Sequence, residues 1–378
     1  MTPSLQLQST VRNDGMLEIT LASVELASPG PDEVIIKVEA SPINPSDLGL
    51  LFGPADIGAA TNSGTGSQRL LSAPIPEKLR ASVSVRAGQP LPVGNEGAGV
   101  VVEAGGSESA QALLGRTVAV FGGGGMYAQY RCVAAATCLP LPSGTSARDG
   151  ASCFVNPLTV LGMVETMRME SHVGLIHTVG ASNLGQMLIK VCLADGVPLV
   201  NIVRSPEQVE MLKDLGAEHV CNSSADSFRN DLVAALEKTE ATLAFDAIAG
   251  GALASQILTA MERVAGRDSA PSNRYGSTTH KQVYLYGGLD VSPTVLKRNY
   301  GMAWGVGGWL LPNFLVRVGA DKGNELRGRV ANEIKTTFAS HYTQEISLVE
   351  ALEVETARSY QRKATGEKYL INPNKNTD

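Results

Sequence analysis

Long apolar runs are missing from this 378-residue sequence. Nowhere do about 18 uninterrupted apolar residues follow one another, so no membrane-spanning helix is expected. Clusters of Lys and Arg are missing as well. With a formal charge of -6 and no basic patch, neither nucleic acid nor an anionic membrane is expected as the main partner. Cysteines are few: Cys132, Cys138, Cys153, Cys192 and Cys221 make an odd set of five without a C-x-x-C pair. That excludes a disulfide framework and fits small, buried, reduced thiols. The opening stretch MTPSLQLQSTVRNDG lacks the basic-then-apolar order of a secretory leader, so a cytoplasmic protein is expected. Low-complexity tracts are absent too. Apolar residues make up 43% and charged residues 18%, enough to fold as a globular chain whose length suggests two domains.

Two patterns divide the chain. From about 15 to 142, short runs such as EVIIKVEAS, GAGVVVEAG, RTVAVFGGGG and YRCVAAATCLPLP, punctuated by Gly and Pro, predict an all-β module. Within it, residues 53–92 contain GPADIGAATNSGTGSQ, which has no apolar period and reads as an inserted mobile loop or lid. From about 157, strands alternate with helices. The strand 173–180 is nearly all apolar, and Leu184, Met187, Leu188, Val191 and Cys192 form the helical stripe that follows it. Further strands are expected at 198–203, AEHVCN, TLAFDAI and 282–288, with a polar interruption at 265–281. This alternation implies a parallel sheet wrapped by helices. The tail reads as a helix and a strand returning to the β module.

The junction HTVGASNLGQ, 177–186, leaves the first strand and enters the first helix, where exposed amides and the helix dipole suit a pyrophosphate. Gly180 is expected to permit the tight turn and Gly185 to let the helix approach the sheet. Ala181, Ser182, Asn183 and Leu184 complete the loop, with Ser182 where a fingerprint has its middle glycine. The second strand ends in Val203, Arg204 and Ser205, without the acid that accepts from the ribose of NAD. A guanidinium and a hydroxyl suit a 2′-phosphate, so NADPH is favoured. The same residues also read as an exposed Arg ahead of a helix capped by Ser205 with Pro206 at its first position, and the two readings are compatible.

Several ordered motifs now point to a family. SPINPSDL (41–48), GNEGAGVVVEAG (94–105), GRTVAVFGGGGMYAQY (115–130), NPLTVLGM (156–163), the loop 180–185, FDAIAGG (245–251), VYLYGG and ATGEKYLI (364–371) resemble the medium-chain dehydrogenase/reductase superfamily, in its zinc-independent quinone oxidoreductase and enoyl reductase branch. The resemblance implies an α/β fold: a doubly wound Rossmann sheet, 157–339, beside a GroES-like β-barrel domain, 1–156 completed by 340–378. Zinc-dependent relatives carry ligands where this chain has Asn44, Asn95 and Asn156. Amides are poor zinc ligands and the five histidines show no ligand spacing, so no metal is expected.

By the same resemblance, Asn44 lies near the reacting groups and donates from its amide, although a turn residue between Pro42 and Pro45 is an equal reading. Asn156, Thr159, Asn222, Ile248, Ala249, Tyr286 and Gly287 join the cofactor set. The enoyl reductases' Tyr after NPSD is missing, which leaves Tyr127 as a substitute acid or, alternatively, a packing residue. Lys368 is either a surface charge or a cofactor contact. The implied activity is hydride transfer from NADPH to a quinone or α,β-unsaturated carbonyl. The alternatives are a non-catalytic NADPH sensor or crystallin-like protein, and a zinc alcohol dehydrogenase. A homodimer is expected, with MAWGVGGWLLPNFL as its seam or as a core helix.

Overall fold

The structure, a computed structural model, describes residues 2–121, 124–267, 274–362 and 366–376. Two compact units divide it: 1–155 with 327–378, and 156–326. The chain re-enters the first unit within Leu311–Glu333, two helices joined at a kink at Gly319, earlier than the boundary of 340 drawn from the sequence.

The first unit is built from two sheets. A five-stranded sheet runs in the order Thr61–Ser63, Leu70–Pro74, Met16–Leu26, Thr2–Val11 and Leu91–Pro92. The second has Cys138–Pro140, Thr117–Phe121, Glu96–Ala104, Glu33–Pro42, Tyr369–Ile371 and Gln344–Ile346 side by side, with Tyr130–Ala134 also on Glu33–Pro42. The tail does return as expected: Tyr369–Ile371 lies antiparallel to Glu33–Pro42, with Ile371 opposite Ser41. Close approach fixes the glycines here, since a Cβ on Gly99 would stand 2.0 Å from the Lys37 carbonyl oxygen across the strand pair.

The reading of 53–92 as a mobile lid is corrected. The strand Leu70–Pro74 pairs with Met16–Leu26, setting Leu71 opposite Ile19, and Leu71, Ala73 and Ile75 are buried in the core. The Asn62 amide fastens the segment further, donating to the Leu352 carbonyl at 2.7 Å while its oxygen accepts from Val354 N at 3.0 Å. The period-two burial of Leu71, Ala73 and Ile75 follows the alternation of a half-buried strand, which the small-residue stretch before it masks.

In the second unit six parallel strands run in the order His219–Asn222, Leu199–Val203, Leu175–Thr178, Leu243–Asp246, Lys281–Leu285 and Trp304–Gly308. The first strand lies inside and the order reverses beside it, and it is outside the carboxyl ends of the strands at such a reversal that open parallel sheets take their ligands. The helix Asn183–Asp195 ends on Gly196, and Gly216 follows the helix Pro206–Asp214, both at positive φ. MAWGVGGWLLPNFL is not a core helix: it forms the edge strand Trp304–Gly308 and then enters Leu311–Glu333. The loop 265–281 lies partly outside the described residues, and its described end is tied to the core where Glu262 accepts from Ser277 N at 2.8 Å and pairs with buried Lys281 at 2.6 Å. Among the described residues no helix is long and apolar enough to cross a membrane.

Leu71→Ala should lower the free energy of unfolding by about 2–5 kcal/mol, measured by urea denaturation. A change near zero would return the 53–92 segment to a peripheral lid.

Candidate functional site

The nucleotide half is assembled on the second unit. Ser182 caps the helix Asn183–Asp195, its Oγ accepting from Gly185 N at 3.0 Å. The roles expected of the two glycines differ from those found. The turn is made by Val179, a β-branched residue at φ 57°, whereas Gly180 is not among the positive-φ positions. Gly180 is needed for closeness instead, because a Cβ there would meet Leu212 at 2.9 Å and Asn201 at 3.0 Å. Gly185 fits its expected role: its Cβ would lie 2.2 Å from the Gly180 oxygen. Asn201, missed in the sequence, sits 1% exposed against this loop with neither amide atom partnered among the described residues. Its only sequence signal is an Asn inside an otherwise apolar strand.

At the tip of the second strand, Ser205 caps Pro206–Asp214, and Gln208 Oε1 accepts from Arg204 N at 3.0 Å. The capping reading therefore holds, and the exposed Arg204 guanidinium has no ion pair among the described residues. Asn222 ends the third strand, its Oδ1 accepting from Ser224 N at 3.0 Å.

The ends of the first and fourth strands are knotted together. Asp246, fully buried, accepts from Thr178 Oγ1 and Ile248 N at 2.9 Å each and from Ala249 N at 3.3 Å. Burial raises its carboxyl above the usual range, and the Ile248, Thr178 and Ala249 donors oppose that. The knot holds Ala249 at φ 68°. Gly287 passes close by, since a Cβ there would stand 2.7 Å from the Ala247 oxygen. Tyr286 is tied down through its hydroxyl, 2.7 Å from His177 Nε2. Asn156 and Thr159 are buried on the helix Val155–Met169.

The first unit holds a separate buried polar cluster. Glu96 is 0% exposed; Oε1 accepts from Asn44 Nδ2 at 2.7 Å, and Oε2 accepts from Phe154 N at 2.8 Å and Val155 N at 2.9 Å. Asp47 accepts from Asn44 N and Asn95 N, each at 2.8 Å, and burial raises its carboxyl to about 7 against those two bonds. Lys368 is no surface charge. It lies buried, donating to Ser152 Oγ at 2.8 Å and Ser340 Oγ at 3.2 Å, and burial lowers it to about 8 while Glu96 and Asp47 hold its proton on.

Tyr127 is corrected from candidate acid to packing residue. It is 0% exposed in the core, and its hydroxyl donates to the Pro42 carbonyl at 3.1 Å. Burial, with the nearby Asp47, pushes its proton affinity well above that of a free phenol. Asn44 is also altered: one amide hydrogen is spent on Glu96, and it is Oδ1, buried, that lacks a partner among the described residues.

The donors do not fit zinc. Asn44, Asn95 and Asn156 offer amides, and among the described residues no three His, Cys, Asp or Glu side chains gather around a common point. The close glycines, the capped helix and the unpaired Arg204 do fit a dinucleotide.

Two family models match, the alcohol dehydrogenase GroES-like domain over residues 30–143 and the zinc-binding dehydrogenase domain over 184–267. A solved structure from Mesorhizobium loti, of a protein taken to be an NADPH:quinone reductase, has a TM-score of 0.73 at 25% identity and covers 99% of each chain. Another from Bacillus thuringiensis, taken to be the same kind of enzyme, has a TM-score of 0.72 at 17% identity over 98% of this chain and 99% of that one. In sequence, the mitochondrial enoyl-(acyl-carrier-protein) reductase of Xenopus tropicalis is 28% identical over 209 residues, 53% of this chain and 51% of the relative. The chain thus spans about half the length of the curated relatives it matches. The chain belongs to the medium-chain dehydrogenase/reductase superfamily, with a GroES-like domain and a Rossmann domain.

Burial holds the His177 imidazole at about 3, well below its ordinary 6.5, so the folded chain binds fewer protons than the unfolded one between those values. Its contribution to stability is present above pH 6.5 and is lost as pH falls toward 3. The urea midpoint of His177→Gln should therefore decline less over that range than the wild type's; parallel curves would show that His177 does not titrate there.

Proposed function

We propose that the chain is an NADPH-dependent reductase that passes a hydride to a quinone without zinc. The observation carrying this reading is the exposed, unpaired Arg204 at the end of the second strand, where an NAD site has an acid. Bound NADPH supplies the hydride. The glycine-lined turn and the Asn183–Asp195 helix start hold the pyrophosphate, and Arg204 with Ser205 receives the 2′-phosphate. Asn156, Thr159, Asn222, Ile248, Ala249, Tyr286, Gly287 and Lys368 complete the proposed cofactor set.

With amides in place of thiolate and imidazole, the acceptor is not polarised by a metal and must be electron-poor already. With Tyr127 committed to Pro42, a quinone is favoured over an enoyl thioester. Its reduction yields a delocalised phenolate that takes a proton from water, whereas an enoyl thioester leaves a basic enolate better served by a placed acid. A second reading, enoyl thioester reduction, is favoured by the Xenopus tropicalis relative. The unpaired thiols suit a reducing compartment such as the cytoplasm, although the matched enoyl reductases are named as mitochondrial. A homodimer through the edge strand Trp304–Gly308 is also proposed, and light scattering that gives one subunit's mass would remove it.

Purified protein should oxidise NADPH with 9,10-phenanthrenequinone faster than with a trans-2-enoyl thioester. Tight NADPH binding with no acceptor reduced would favour a sensor. Arg204→Ala should weaken NADPH about 10- to 100-fold, the range of a lost charge-assisted bond of ~1.5–3 kcal/mol, and leave NADH nearly unchanged. Equal losses for both coenzymes would overturn the assignment of Arg204.

A further inference from the structure

The Asn44 side chain has two ends, and its neighbour decides which end is free. A carboxylate only accepts, so Glu96 Oε1 at 2.7 Å must face Asn44 Nδ2. Glu96 itself has no freedom to turn. Its other oxygen is held by Phe154 N at 2.8 Å and Val155 N at 2.9 Å, and its backbone carbonyl accepts from Ser41 Oγ at 2.6 Å. Asn44 is pinned at the backbone too, its N–H donating to Asp47 Oδ2 at 2.8 Å. The outcome is a 1% exposed amide whose Oδ1 has no partner among the described residues. A buried carbonyl oxygen left unmatched is costly unless a donor comes to it.

We infer that Glu96 is a positioning residue, locking the Asn44 amide so that Oδ1 accepts a hydrogen bond from a hydroxyl or N–H of a bound reactant. This rests on the reductase reading for the identity of the reactant, but the lock itself does not. It reverses the role expected of Asn44, which becomes an acceptor rather than an oxyanion donor. A simple carbonyl oxygen is then the wrong partner for it, and a ligand bearing a hydroxyl or amide N–H is the right one.

The lock can be inverted without changing shape. In Glu96→Gln the oxygen that accepts from Phe154 N and Val155 N must stay an oxygen, so the new NH₂ faces Asn44. Two donors then oppose each other and Asn44 turns over, presenting Nδ2. In the double variant Asn44→Asp with Glu96→Gln, an oxygen stands again on both sides of residue 44. Glu96→Gln should weaken NADPH, whose ribose hydroxyls and carboxamide N–H are the donors on offer, by about tenfold or more with little change in Tm, and the double variant should recover most of that loss. Asn44→Asp alone sets two carboxylates face to face and should not recover it.

Protein labelled with ¹⁵N-asparagine gives a ligand-free reading. The Asn44 side-chain amide, identified by its disappearance in Asn44→Asp, should show one proton shifted downfield and slow to exchange in the wild type, and should lose that shift in Glu96→Gln. An ordinary, fast-exchanging wild-type signal would overturn the lock even if Glu96→Gln did not fold. So would wild-type NADPH binding in Glu96→Gln, or a double variant no better than the single one. A wild type that neither binds NADPH nor reduces any acceptor would end the reductase reading while the amide signal still decided the lock.

Discussion

A carboxylate shut away from water must be met by donors, and the first unit is arranged around meeting Glu96. Three N–H groups reach it: one from the Asn44 side chain, and two from the chain at Phe154 and Val155, where the long helix Val155–Met169 begins. Strand, turn and helix start are thereby tied to one side chain, so each is fixed relative to the others within this unit. Asp47 adds a second buried acid that organises the same turn from its backbone side. Lys368 offsets them. At about 8 it keeps its proton at neutral pH despite burial, because Glu96 and Asp47 favour the ammonium form. Removing Lys368 leaves the two buried acids without compensation, which is far costlier than losing an exposed ion pair.

The second unit solves a related problem with its backbone. Asp246 gathers Thr178 and the amides of Ile248 and Ala249 at the point where the first and fourth strands end. On either side of that point the chain is strained, at Val179 with φ 57° and Ala249 with φ 68°. Neither is glycine, so each conformation survives only because its surroundings over-determine it. Strain of this kind, kept at the carboxyl ends of a parallel sheet, accords with a place where the backbone itself meets a ligand.

The sequence disclosed what is periodic and concealed what is long-range. Alternating strands and helices, the capped glycine turn and the returning tail could be read because each depends on residues close in the chain. Gly180 was assigned the turn because glycine usually takes positive φ, but the neighbour that needs its missing Cβ, Asn201, comes from the next strand. The sequence leaves Lys368 as a surface charge or a cofactor contact because its partners Ser152 and Ser340 are remote in the chain. With no tyrosine after NPSD, Tyr127 reads either as a substitute acid or as packing, and the contact with Pro42, 85 residues away, decides for packing. The 53–92 segment was obscured in another way, since its turn-rich first half masks the alternating strand that follows.

The amides at 44, 95 and 156 carry the last step. A zinc site imposes its own geometry on a substrate oxygen, and amides at these three positions are poor ligands with which to build one. Fold membership alone therefore does not transmit the alcohol dehydrogenase reaction to this chain. What remains at residue 44 is a single oriented dipole, aimed by a buried carboxylate. If its oxygen faces the reactants as proposed, it orders them without drawing electrons from an acceptor. On the reading proposed above, the electron demand comes from the acceptor molecule itself, which favours a conjugated, low-lying system.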